Sequence, residues 1–186
     1  DHQTRLYNLR QYPQLIAKRD DLLLEEITLL NLTGQYQEAM EMLDAHHFHP
    51  WEGGEGKVSG QYQLSRVALA KQAIDGGEYD RAIGLLEQCL VYPHNLGEGK
   101  LYGAQENDFY YFLGCAYDAN GEKEKAVECW TQATMGTQQP AAAMYYNDAK
   151  PDKIFYQGLA LLKLKRQGEA NGRFYKLLEY GKQHLF

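Results

Sequence analysis

The sequence predicts an all-α protein: an α-α superhelix, or solenoid, of about four helix pairs with long inter-repeat loops. Three observations carry this expectation. The segment Gly34-Gln35-Tyr36-Gln37-Glu38-Ala39 returns as Gly77-Glu78-Tyr79-Asp80-Arg81-Ala82 and as Gly121-Glu122-Lys123-Glu124-Lys125-Ala126, with a degenerate fourth copy at Lys165-Arg166-Gln167-Gly168-Glu169-Ala170. The alanines stand at 39, 82, 126 and 170, intervals of 43, 44 and 44; self-similarity at a fixed period of this length marks an array of stacked units. Apolar residues flanking each copy recur at helical spacing, whereas the stretches between units are rich in Gly, Pro, His, Asn and small residues.

Each repeated Gly follows an apolar helical pattern, as a left-handed helix C-cap does. The polar residues after it open a second helix, and the Ala lets that helix approach its partner closely. The third unit is the clearest: Tyr110, Leu113, Gly114, Tyr117, Gly121, Ala126 and Trp130 place one apolar stripe on each helix. The fourth carries Ile154, Gly158, Leu161, Ala170 and Phe174, with Lys165 in place of the turn Gly. The second carries Leu69, Ala70, Ala73, Gly77, Ala82 and Leu86; the first has Glu26 and Ile27 where the third has Leu113 and Gly114. The chain therefore reads as a single repeat domain over 1–186, with units at about 20–50, 62–95, 106–138 and 152–182. Leu6, Leu9 and Pro13 suggest a helix ended by proline, so residues 1–18 read as the tail of a preceding repeat.

Composition removes several functions. A hydrophobic content of 44% with 24% charged residues suits a folded chain of 186 residues. A formal net charge of -6 and the lack of a Lys/Arg stripe argue against nucleic acid, whose phosphates need clustered cations. Apolar runs such as Leu22 to Leu24 are far too short for a membrane span, so membrane insertion is not expected. Cys89, Cys115 and Cys129 sit at helical positions without CxxC spacing and read as reduced core residues. The chain opens on Asp1, so a piece of a longer protein is expected, with any signal outside it and the cytoplasm slightly favoured.

The succession of an aromatic, Leu-Gly, Tyr, Gly, Ala and a late aromatic in the third unit resembles the tetratricopeptide repeat. The resemblance implies helix hairpins stacked into a superhelix that binds partners. The period departs from it, since that unit is about 34 residues long. The excess falls after the second helix of each pair, at 46–60, 93–105 and 137–152, and insertions on one face of a solenoid often form its binding face.

Two insertions resemble each other. Pro50-Trp51-Glu52-Gly53-Gly54-Glu55-Gly56-Lys57-Val58-Ser59-Gly60 and Pro93-His94-Asn95-Leu96-Gly97-Glu98-Gly99-Lys100-Leu101-Tyr102-Gly103 share Gly-Glu-Gly-Lys after a Pro. Such identity between loops reads either as a shared turn, with Gly supplying positive φ, or as a contact with a ligand or partner. Together with Arg19-Asp20-Asp21-Leu22 and His49, these segments resemble a group of large bacterial proteins of unknown function that carry a mutarotase-like β-sandwich before tetratricopeptide repeats. That resemblance implies a C-terminal repeat region and a link to carbohydrate handling, and it supplies no catalytic residues.

His46, His47 and His49 with Glu52 lack the spacing of a metal site, and capping and packing at a helix end is the expected role. Glu52, Glu55 and Glu98 beside Trp51 and Tyr102 would suit a carboxylate pair between sugar platforms, although such loops are more often binding or packing surfaces. By helical phase Asn31, Lys71, Asp108, Tyr111 and Asp118 face the concave groove, with too few cations to clamp an acidic peptide tail. The leading expectation is a non-catalytic module without cofactor or metal, binding another protein or another domain of its own chain. Its candidate contacts are His49, Trp51, Glu52, Glu55, Lys57, Glu98, Lys100, Tyr102 and Tyr111. The alternative is carbohydrate, bound by loops that complete a site with an N-terminal domain.

Overall fold

The computed structural model describes residues 1–141 and 150–185, and among them every regular element is helical. Four antiparallel hairpins succeed one another: α3 (Asp20–Leu32) with α4 (Tyr36–Ala45), α5 (Lys57–Asp75) with α6 (Tyr79–Cys89), α7 (Asn107–Ala119) with α8 (Lys123–Ala133), and α9 (Pro151–Lys163) with α10 (Gln167–Gln183). They are preceded by α1 (His2–Leu9) and the single turn α2 (Pro13–Ile16). The fold is an all-α, tetratricopeptide-like solenoid.

All four hairpins are closed by one turn. The amides of Gln35, Glu78, Glu122 and Arg166 donate back to the carbonyls of Leu30, Ala73, Tyr117 and Leu161 at 2.9, 2.8, 2.8 and 2.9 Å. The residue before each donor is left-handed: Gly34 at φ 80°, Gly77 at 76°, Gly121 at 87° and Lys165 at 61°. This is the Schellman arrangement, which satisfies carbonyls that the helix end leaves open. Lys165 adopts it despite its Cβ, because the surrounding hairpin is the same.

In three of the four hairpins a small residue on the first helix faces a larger one on the second. In the third and fourth units a Cβ added to Gly114 or Gly158 would stand 2.4 Å from the Trp130 indole or the Phe174 ring. In the second unit the corresponding residues are Ala70 and Leu86, and in the first Ile27 and Leu43, all fully buried. Close packing conserves volume across such a contact, so the first member shrinks as the second grows.

The first helices, α3, α5, α7 and α9, also pack on one another in succession, which places them along the inner side of the stack. The N-terminal segment covers the first unit: α1 packs on α3, Leu6 is buried in the first core cluster, and the Arg10 guanidinium bonds Glu26 at 2.7 Å and Glu38 at 2.5 Å. Pro13 does not end α1, which stops at Leu9; it opens α2 at its first position, where its missing N–H costs nothing.

One boundary differs from expectation. The second unit begins at Lys57 rather than 62, because helix α5 starts inside the first Gly-Glu-Gly-Lys motif. Much of the third insertion, residues 142–149, lies outside the described residues. Asn31, expected on the groove, is buried, and its amide nitrogen donates to Gln61 Oε1 at 2.8 Å across the first inter-repeat junction.

Candidate functional site

The two repeated loops meet, and the second fastens the first. Asn95 donates its side-chain amide to the carbonyls of Leu43 and His46, both at 2.8 Å, closing the C-terminal end of α4. Its own carbonyl accepts the Phe48 amide at 2.7 Å. Three residues on, the Glu98 carboxylate accepts the backbone N–H of Gly56 at 2.8 Å and of Ser59 at 2.7 Å. Gly56 is the N-cap of α5 and has no side chain to cap with, so Glu98 supplies both bonds of a capping box from the next repeat. Between these contacts Gly97, at φ 72°, lies so close to Phe48 that an added Cβ would stand 2.4 Å from its carbonyl oxygen.

The shared turn that the repeated motif suggested is absent. Positive φ falls at Gly53 and Gly56 in the first loop but at Gly97 and Gly103 in the second, so no aligned pair of glycines is left-handed in both. The first motif runs into a helix, whereas the second passes across that helix's N-terminus. Similar sequence serves two conformations because the two loops have different neighbours.

The first loop is tied down a second time by Asp20, which opens α3. Its carboxylate lies 2.7 Å from His46 Nε2, accepts the His49 backbone N–H at 2.7 Å, and lies 3.1 Å from His49 Nδ1. Burial by itself raises this carboxyl's pKa, but the hydrogen bonds from His46 and His49 outweigh it and hold Asp20 below the ordinary carboxylate range. His47 instead stacks toward His94, with ring centroids 6.4 Å apart. Among the described residues no group of three His, Cys, Asp or Glu side chains is placed to hold a metal ion.

Between the fastened loops lies a cavity of about 310 Å³, lined by His49, Pro50, Trp51, Glu52, Gly54, Glu55, Val58, Leu96, Gly97 and Glu98. Five of the nine candidate residues therefore converge: His49, Trp51, Glu52, Glu55 and Glu98. Trp51 lies across Gly54, where an added Cβ would meet the indole at 2.4 Å, and packs against the core around Phe48 and Leu96. Leu96 and Val58, both buried, form the floor. Glu52 and Glu55 are exposed at the rim.

The other four candidates lie apart from this cavity. Lys57 is an exposed first residue of α5. Lys100 donates to the Leu90 carbonyl at 3.0 Å and pairs with Glu106, closing the end of α6. Tyr102 is fully exposed at the edge of a separate cleft of about 180 Å³ that includes Tyr92 and Glu106. Tyr111 packs between Phe112 and Tyr156, with centroids 5.2 and 5.7 Å away, and burial pushes its hydroxyl well above the ordinary tyrosine range. Asp108, another groove candidate, is paired with Lys153 at 2.5 Å.

Residues outside the candidate set hold the site. Asn95 acts on backbone carbonyls of the preceding repeat, and Asp20 on the His49 amide of its own. Arg66 is buried within α5, stacked 3.6 Å over the Tyr62 ring, and bonds Gln88 at 2.9 Å and Asp44 at 2.5 Å. It joins α4, α5 and α6 beneath the loops. Burial raises the pKa of all three thiols, Cys89 to about 12, Cys129 to about 11, and Cys115 in the same direction.

No protein-family model matches the chain. Among solved structures it is similar to the RS-1 MamA ArsTM double mutant, at 16% identity and a TM-score of 0.47, over 99% of this chain and 87% of that one. It is likewise similar to MamA from residue 41 to its end from Desulfovibrio magneticus RS-1, at 16% identity and a TM-score of 0.46, over 100% of this chain and 88% of that one.

Proposed function

We propose that this chain is a non-catalytic helical-repeat module that docks a protein partner, or another domain of its own chain, at the cavity between its first two inter-repeat loops. The observation that carries this reading is the division of labour around that cavity. Glu98, Asn95 and Asp20 are committed to backbone and histidine contacts that hold the loops, while Trp51, Glu52 and Glu55 form a supported but open surface. The resemblance to large bacterial proteins makes a mutarotase-like β-sandwich, a domain separate from these repeats, the own-chain partner of this reading.

A glycosidase pair of Glu55 and Glu98 fits less well. Both oxygens of Glu98 accept backbone N–H groups, so acting as a proton donor would require it to give up the α5 cap. Carbohydrate as a ligand rests on Trp51 alone, since the aromatic platform expected at Tyr102 stands in the other cleft.

The test is affinity capture and titration with the wild-type chain beside a Trp51→Ala, Glu55→Gln variant, using native lysate and the separately expressed β-sandwich region. The reading expects a partner held by wild type and lost by the variant at unchanged helical circular dichroism. Equal capture by both proteins overturns it.

A further inference from the structure

The geometry points to a positively charged side chain, arginine or lysine, of the docked protein as the occupant of the cavity between the loops; this rests on the docking role proposed above. The cavity has an indole wall, an apolar floor and an acidic rim, which together match an aliphatic stem ending in a cation.

Size comes first. A cavity of about 310 Å³ is at the lower end for small-molecule sites, which span roughly 300–1,000 Å³. It suits one long side chain better than an oligosaccharide. Its walls come second: Pro50, Trp51, Val58 and Leu96 offer apolar contact along one side. Lys and Arg bury their methylene stems against such surface while the head group reaches a polar edge, and a Trp face is the best aromatic partner for a cation.

Charge decides between a basic and a neutral occupant. Three carboxylates line the cavity and no Lys or Arg does; of the basic groups nearby, His49 lies against Asp20, Lys100 pairs with Glu106, and Lys57 is exposed outside the lining. Glu98 spends both oxygens on the α5 cap, which leaves Glu52 and Glu55 at the rim as acceptors for a guanidinium or ammonium. A chain of net charge -6 also draws a basic partner toward it at long range.

The probes are acetyl-Gly-Arg-Gly-amide, acetyl-Gly-Lys-Gly-amide and acetyl-Gly-Gln-Gly-amide, titrated into the full chain while the Trp51 indole N–H resonance is followed by NMR. The Trp130 resonance is the internal control. A saturable shift at Trp51 with the Arg and Lys peptides, absent with Gln, is expected. The Glu52→Gln, Glu55→Gln variant, altered only at exposed side chains, should bind about fivefold more weakly, the sum of two exposed charge contacts. An equal response to the Gln peptide, or none to any peptide, overturns the inference. If the peptides fail while the Trp51 variant still loses its captured partner, the docking role stands and the basic occupant falls. If the peptides bind and capture is unaffected by the variant, the docking role falls instead.

Discussion

Gly114 on α7 and Trp130 on α8 fit as hole and knob: a Cβ at position 114 would stand 2.4 Å from both Cδ1 and Nε1 of the indole. The same relation holds between Gly158 and Phe174, one repeat further along. The second repeat solves it with Ala70 and Leu86. The array therefore contains its own control. Gly114→Ala should cost about 1–3 kcal/mol by overpacking. Gly114→Ala combined with Trp130→Leu, which copies the second repeat, should recover most of that loss. Thermal or urea unfolding checks this, and additive losses in the double variant would refute volume compensation.

Lys165 occupies the left-handed position that glycine holds in the other three turns. An L-residue there loses roughly 1–2 kcal/mol relative to its preferred backbone regions, partly offset by the greater freedom that glycine has when unfolded. Lys165→Gly should therefore stabilise the fourth hairpin by about 0.5–1 kcal/mol. Gly121→Lys should do the reverse. Unfolding free energies of the two variants, measured side by side, test the sign.

Glu98 caps α5 from the next repeat. Glu98→Ala should lower stability by roughly 1 kcal/mol, the usual worth of an N-cap, which is about 2–4 °C in melting temperature for a chain of this size. Hydrogen exchange at the Ser59 amide should quicken more than exchange in α7 or α8. Unchanged Ser59 protection would show that the cap holds nothing.

Asp20 makes the first loop sensitive to acid. Its folded-state pKa is held below its ordinary value of 3.8, so it stabilises the fold above that value and loses the contribution as pH falls through the lower, folded one. Comparing wild type with Asp20→Asn, the stability gap should narrow on acidification from about pH 5 downward. A gap independent of pH would place the value of this residue in packing instead.

Much of the architecture was legible in the sequence because its causes are close together in the chain. A Gly at the hairpin turn, an Ala five residues later and a large apolar residue one turn beyond specify a hairpin from within about forty residues, and the period repeats the specification. Even the degenerate fourth turn is legible, since its flanking residues repeat the pattern around Lys165. The convergence of Trp51, Glu52, Glu55 and Glu98 was partly legible, from the similarity of the two loops.

The residues alone thus determined the helix pairs, their turns and their small-to-large packing, all of which are settled by neighbours along one hairpin. Only the tertiary structure decided what the repeated loops do. Asn95 reaches the His46 carbonyl across 49 positions and Glu98 reaches Gly56 across 42. Such contacts exist because stacking one repeat on the next brings an open helix end within hydrogen-bond distance of a side chain. No local pattern announces that meeting, and it turns a motif that looked like two copies of one turn into a clasp and the thing it clasps.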